Sequence, residues 1–151
     1  MRAVIQRVHR AQVSADGAIT GKVGQGLFVL LGVGQDDGPE DAEWLVQKIV
    51  QLRIFNDADG LMNNSVENVQ GGVLIVSQFT LHARYKKGNR PSFIAGARPE
   101  VAENYYLQFC ELMRKRLGQS RVGTGKFGAH MDIEVELNGP VTIIMDTKNK
   151  E

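Results

Sequence analysis

Residues 3–33, AVIQRVHRAQVSADGAITGKVGQGLFVLLGV, decide the fold. Ala3 to Val8 is a short β-branched run, and Ala11 to Ala15 leads into Asp16-Gly17, a pair that accepts the two positive φ angles of a type I′ turn. An antiparallel hairpin is therefore expected at the start of the chain. Leu27 to Val33 is a continuous apolar run bounded by Gly26 and Gly34, short enough to be a strand covered on both faces. Val73 to Val76, after Gly71-Gly72, has the same character, so these two runs are expected at the centre of a sheet.

Outward from these strands the periodicity changes. From Pro39 to Arg53 the apolar positions Ala42, Leu45, Val46, Ile49 and Leu52 recur at helical spacing, with Pro39, Glu40, Asp41 and Glu43 suited to a helix start. A second helix is expected from Pro99 to about Leu117, with Val101, Tyr105, Phe109, Leu112 and Met113 on its apolar face and Gly118 as its stop. Met131, Ile133, Val135 and Leu137 alternate with charged residues, which predicts a strand with one face in the core. Val141 to Met145 is a further strand candidate, and Lys148 to Glu151 are expected to fray. Strands in hairpin-like succession with two main helices predict an α+β fold, a mostly antiparallel barrel-like sheet in a single domain over residues 1–151.

Bulk properties agree with one core. A chain of 151 residues buries roughly 70% of its unfolded surface as one domain. Eighteen Lys and Arg against seventeen Asp and Glu leave a net charge of +1, so only local clustering can announce a polyanionic partner. The single cysteine, Cys110, rules out a disulfide within one chain, and no run approaches the ~18 apolar residues of a membrane span. A soluble, unprocessed, cytoplasmic protein with no membrane partner is expected.

Several residues invite chemistry. His9, His82 and His130 show no metal-ligand spacing, so neither a metal nor a cofactor is expected. Ser77-Gln78-Phe79-Thr80-Leu81 follows a buried strand, where polar side chains commonly line pockets. If that segment stays extended, Thr80 and His82 point the same way and form a nucleophile and base. From His82 to Arg98 there are five cations, Arg84, Lys86, Lys87, Arg90 and Arg98, with Tyr85 and Phe93 between them and no acid. That composition fits either a phosphate-holding, base-stacking surface or a solvated loop. Asn138-Gly139-Pro140 reads as a tight reversal or a protruding loop; the alternative is a cis Gly-Pro bond, which aligns two neighbouring carbonyls.

Together MRAVIQRV, SQFTL at 77–81, NRPSF at 89–93, GKFGAHM at 125–131 and NGPVT at 138–142 resemble the D-aminoacyl-tRNA deacylase family over essentially the whole chain. The resemblance implies a homodimeric hydrolase acting on the aminoacylated 3′ end of tRNA. In it the Gly139-Pro140 loop of one subunit enters the other's active site beside Ser77, Gln78, Phe79 and Thr80, and rejects L-amino acids. It further implies that Arg7 braces the loop and that Phe127, Gly128, Ala129 and Met131 line the pocket, core packing having an equal claim on Met131; with a tRNA substrate, the composition of 82–98 makes Arg84, Lys86, Lys87 and Arg90 the expected tRNA contacts. Glycine, having no side chain to exclude, passes such a gate, and attack by water is assisted by the 2′-hydroxyl of the terminal ribose, with Thr80 positioning rather than attacking. At Asn138-Gly139 the sequence lacks an Asp found between these residues in many relatives, so a loop one residue shorter is expected. A different class of function, a noncatalytic RNA-binding dimer using residues 82–98, is compatible with the same cations.

Overall fold

The computed structural model describes residues 1–151. The opening hairpin consists of β1 (Arg2–Ala15) and β2 (Ala18–Val23), joined by Asp16 and Gly17 with φ of 53° and 78°, the positive pair that a type I′ turn requires. There follow β3 (Gly26–Gly32), α1 (Pro39–Gln51) and a small ribbon of β4 (Phe55–Asn56) with β5 (Met62–Asn64). The chain then makes β6 (Gly72–Ser77), α2 (Pro99–Leu117), β7 (Val122–Thr124) and β8 (Asp132–Asp146).

The sheet has the order β2-β1-β3-β6-β7, with β8 on the opposite edge of β1. β1 serves three partners because it is long: residues 2–8 pair with β3, residues 11–15 pair with β2, and β8 runs along the other edge, all antiparallel. β3–β6 and β6–β7 are parallel, since α1 and α2 lie in the connections and return the chain to the same end. The sheet is thus mixed, with its antiparallel half built on β1. It nearly closes into a barrel where β2 meets β7. There a Cβ on Gly21 would stand 2.6 Å from the Thr124 carbonyl oxygen, so only glycine admits the approach.

Both expected central strands are buried on two faces. Leu27, Val29 and Leu31 of β3 and Val73 and Ile75 of β6 join the larger cluster with Leu45, Ile49, Phe109 and Met113 of the helices. Phe28, Leu74 and Val76, on the opposite faces, fill the smaller cluster with Val8, Ala11 and Val13. Each fully buried side chain of this size contributes roughly 1.5–3 kcal/mol. α1 begins as expected, with Asp41 accepting a bond from the Gly38 amide at 2.8 Å. α2 ends at Gly118, whose φ of 95° suits glycine. Its buried face is Ala102, Tyr106, Phe109, Cys110, Met113 and Leu117. Phe109 and Met113 are buried as expected, but in the first two turns Ala102 and Tyr106 take the inner positions expected of Val101 and Tyr105, and Val101 is exposed.

The last third departs furthest from expectation. Residues 132–137 and 141–145 belong to one strand, β8, and Asn138-Gly139-Pro140 reverses nothing. Leu137 stands opposite Val8 and Thr142 opposite Gln6, so residues 138–141 bulge out against Arg7 alone. The expected buried face is also incomplete. Met131 and Val135 pack on the smaller cluster, whereas Ile133 and Leu137 are exposed, because no second layer covers this part of β8. The tail after β8 is tied down rather than frayed: Lys148 Nζ reaches Asp41 at 2.7 Å, and Lys150 lies 4.6 Å over the Trp44 ring.

Candidate active site

A cavity of about 620 Å³ opens where β6 ends. Ser77, Gln78 and Phe79 form one wall, and Phe127, Gly128, Ala129, His130 and Met131, from the segment between β7 and β8, form another. These groups are far apart in sequence; the parallel β6–β7 pairing brings them together. Met131 does both things expected of it, lining the cavity and packing on the smaller core cluster.

The floor belongs to α2. Tyr106 lines the cavity, tilts against Phe127 with ring centroids 5.8 Å apart, and donates its hydroxyl to the Ile75 carbonyl at 2.9 Å. Burial, followed by the neighbouring Cys110, raises the Tyr106 hydroxyl well above its ordinary value, so it acts as a neutral donor. Burial likewise pushes the Cys110 thiol up to about 11, which makes it a packing group rather than a nucleophile. Sequence reasoning missed Tyr106 and Ala102; the signal was the helical periodicity of α2, which runs back from Phe109 and Met113 to Tyr106 and Ala102.

Beyond Gln78 the chain turns into a short 3-10 helix, Phe79–His82. Residues two apart on such a turn point about 240° from each other. The extended Thr80 and His82 pairing therefore does not occur: Thr80 Oγ1 instead accepts a bond from Gln78 Nε2 at 2.5 Å, and His82 Nε2 is buried without a partner. Thr80 is exposed and lies outside the cavity lining. The first amides of the turn, at Phe79 and Thr80, have no partners within it and sit beside the Ser77 wall.

Arg7 is buried, at 9% exposure, on the face of β1 that also carries Ala3 and Ile5. Its guanidinium donates to the Asn138 carbonyl at 2.9 Å, to Asn138 Oδ1 at 3.3 Å and to the Ile54 carbonyl at 2.6 Å. One side chain thus ties the base of the β8 bulge to the segment leading into β4. Gly139 and Pro140 are exposed at the tip, their peptide is cis, and neither lines the cavity of its own subunit.

Arg84, Lys86, Lys87 and Arg90 are all exposed on a loop closed by two backbone bonds of 2.8 Å between Arg84 and Ser92. None of them, nor Arg98, takes part in an ion pair. The loop returns to the cavity through Phe93, whose ring meets Phe79 edge-on at 5.1 Å. No three His, Cys, Asp or Glu side chains converge anywhere in the molecule.

A mostly apolar cavity with Ser77 and Gln78 on one wall, flanked by a loop of cations without ion-pair partners, marks this small α+β fold. The chain belongs to the D-Tyr-tRNA(Tyr) deacylase family, whose model matches residues 4–146. It is 50% identical over 151 residues to a D-aminoacyl-tRNA deacylase of Bacteroides thetaiotaomicron and 52% identical over 151 residues to one of Parabacteroides distasonis, with 100% of each chain covered. A solved structure described as a c-Myc DNA unwinding element binding protein superposes with a TM-score of 0.92 at 41% identity, covering 97% of this chain and 98% of that one. Another, described as a probable eukaryotic D-amino acid tRNA deacylase, reaches a TM-score of 0.84 at 20% identity over 95% and 97% of the two chains, a likeness of fold.

Proposed function

We propose that the protein hydrolyses the ester between a D-amino acid and the terminal ribose of tRNA, and that a second copy of the chain completes its site. One observation carries the reading: in a member of this family, the SQF and FGAHM segments meet in a single cavity beside cations that have no acidic partners.

Water adds to the ester carbonyl carbon, the tetrahedral oxyanion collapses, the bond to the ribose oxygen breaks, and that oxygen leaves with a proton relayed through the vicinal 2′-hydroxyl. The Phe79 and Thr80 amides stabilise the oxyanion, a contribution of ~3–4 kcal/mol in other acyl-transfer sites. Ser77 and Gln78 orient the aminoacyl group, and Thr80 positions Gln78 through their mutual bond. The reading calls on neither metal nor cofactor.

Chirality is read by exclusion. The Gly139-Pro140 loop of a second copy presents main-chain atoms to the aminoacyl group and leaves no room for an L side chain, so selection needs no recognition of any particular side chain. Two observations support supply from a second copy: the loop lies outside its own subunit's cavity, and β8 exposes Ile133, Leu137 and Ile144, an apolar surface that a homodimer would cover. Glycine passes the same gate, which extends the substrates to glycyl-tRNA, including glycine mischarged on alanine tRNA. Arg84, Lys86, Lys87 and Arg90 hold the tRNA backbone. No helix is long and apolar enough to cross a membrane, and a tRNA substrate fits a cytoplasmic location.

Incubation with D-Tyr-tRNA and L-Tyr-tRNA tests the proposal: rapid release of D-Tyr with L-Tyr-tRNA spared is expected, and equal or absent cleavage of both rejects it. The exposed cations, together with the 41% identical structure described as a DNA unwinding element binding protein, favour a second reading as a noncatalytic nucleic-acid binder. Tight tRNA binding without ester turnover would select it.

A further inference from the structure

Large aromatic side chains are ordinarily withdrawn from water, yet Phe79 and Phe93 keep 60% and 36% of their surface exposed at the rim of the cavity. They are not a displaced piece of core: neither belongs to the buried clusters, and they pack edge-on against each other at 5.1 Å and 75°. Both are held by backbone. Phe79 opens the turn that follows β6, and Phe93 sits between the Arg84–Ser92 ladder and a second pin in which the Ala97 amide donates to the Val33 carbonyl at 2.9 Å. Two preset rings cost little ordering on binding, which is what a stacking platform requires.

Their neighbourhood names the occupant. The segment that carries Phe93 also carries Arg84, Lys86, Lys87, Arg90 and Arg98, all without ion-pair partners, so the rings lie between an apolar cavity and a phosphate-attracting surface. Exposed aromatics beside free cations are the surface that single-stranded nucleic acid uses, bases on the rings and phosphates on the charges. Every tRNA ends in an unpaired cytidine, cytidine and adenosine. With the aminoacylated terminal nucleoside directed into the cavity, the nucleotide before it is the first to lie at the rim.

We infer that Phe79 and Phe93 form the stacking site for the penultimate nucleotide of the tRNA, so that the enzyme grips the unpaired end by a base it does not act on. This rests on the D-aminoacyl-tRNA reading and adds to it a binding position outside the acyl site. Stacking recognises a π face rather than a hydrogen-bond pattern, so the site contributes affinity without choosing among tRNA species.

The test compares two substrates, D-Tyr-tRNA and 3′-O-D-tyrosyl-adenosine, which lacks every preceding nucleotide. Cleavage of both by the unaltered enzyme establishes the parent reading separately. Phe93→Leu, which keeps an apolar side chain but removes the ring, is expected to raise KM for D-Tyr-tRNA about tenfold, at least fivefold more than any change with the adenosine ester, and Phe93→Trp to restore the lower value. Equal effects on the two substrates, or none on the tRNA, would overturn the inference. A second measurement needs no variant: tRNA carrying 5-iodocytidine at the penultimate position is irradiated with the native protein. Crosslinks on Phe79 or Phe93 are expected, and crosslinks confined to other residues would refute the site.

Discussion

β3 and β6 lie at the centre of the sheet and β8 at its edge, and the two regions use apolar residues in opposite ways. In β3 and β6 alternate side chains enter the two core clusters, so both faces are sealed and the strand ends stay where the core puts them. β8 is the longer element, but Ile133, Leu137 and Ile144 are exposed and the strand is interrupted by residues 138–141. The rigid region holds Ser77 and Gln78 at a cavity wall; the open region offers a loop and an apolar surface outward. On the proposed reading, in which the β8 loop of one copy completes the cavity of another, the first region needs to be immobile and the second accessible, and their packing differs in that sense.

Truncating each region is the severest way to break that comparison. Ile75→Ala, in the sealed strand, is expected to cost about 2–5 kcal/mol in urea unfolding, whereas Leu137→Ala at the exposed edge should cost no more than about 0.5 kcal/mol at protein concentrations where the chain is monomeric. A similar loss at both positions would mean that β8 is covered within one subunit. Next in size is the link between the regions: Arg7→Met leaves the Asn138 and Ile54 carbonyls without their buried donor, at about 1–3 kcal/mol. The same change should narrow the ratio of D-Tyr-tRNA to L-Tyr-tRNA cleavage; an unaltered ratio would separate Arg7 from the loop's role. Gly139→Ala is a blunter probe, since its Cβ would stand 2.2 Å from the Val141 nitrogen and displace the loop itself.

Smaller effects sharpen the contrast. The tail of β8 is anchored to α1 through Asp41. Burial opposes its ionisation, but bonds from Lys148, Thr147 and the Gly38 amide outweigh that and lower the carboxyl from 3.8 to about 2. A folded value below the unfolded one supplies stability above pH ~3.8 that disappears as pH falls through about 2. Asp41→Asn should therefore flatten the thermal stability profile across that window, with a loss at neutral pH of about 1 kcal/mol after discounting for the half-exposed Lys148. The smallest effect is expected at Thr80→Ala, which should retain activity within about tenfold because Thr80 only holds Gln78. Loss of all turnover in a folded variant would return Thr80 to the role of nucleophile.

Much of this was legible along the chain. The Asp16-Gly17 turn, both central strands and the two helices follow from local chemistry, and the SQF and FGAHM segments that meet in the cavity carry the family resemblance. The misreadings share a cause. Asn-Gly at 138–139 has the composition of a hairpin turn, but β1 continues past it and holds both flanking segments on one edge, so the chain bulges instead of reversing. Tyr105 and Tyr106 are adjacent in a helix whose buried side depends on where β6 and β7 lie. Thr80 and His82 were aligned only if the chain stayed extended, and the turn after Gln78 separates them.

Turn chemistry, apolar periodicity and helix ends act over a few residues, so residue order alone was enough to establish the opening hairpin, the two central strands and the two helices. Closure at Gly21 and Gly123, the meeting of β6 with residues 127–131, the burial of Arg7 and the exposure of β8 depend on contacts between distant segments. Those contacts exist only once β1 has paired with three strands at the same time, and for that reason the site and its open edge belong to the assembled molecule.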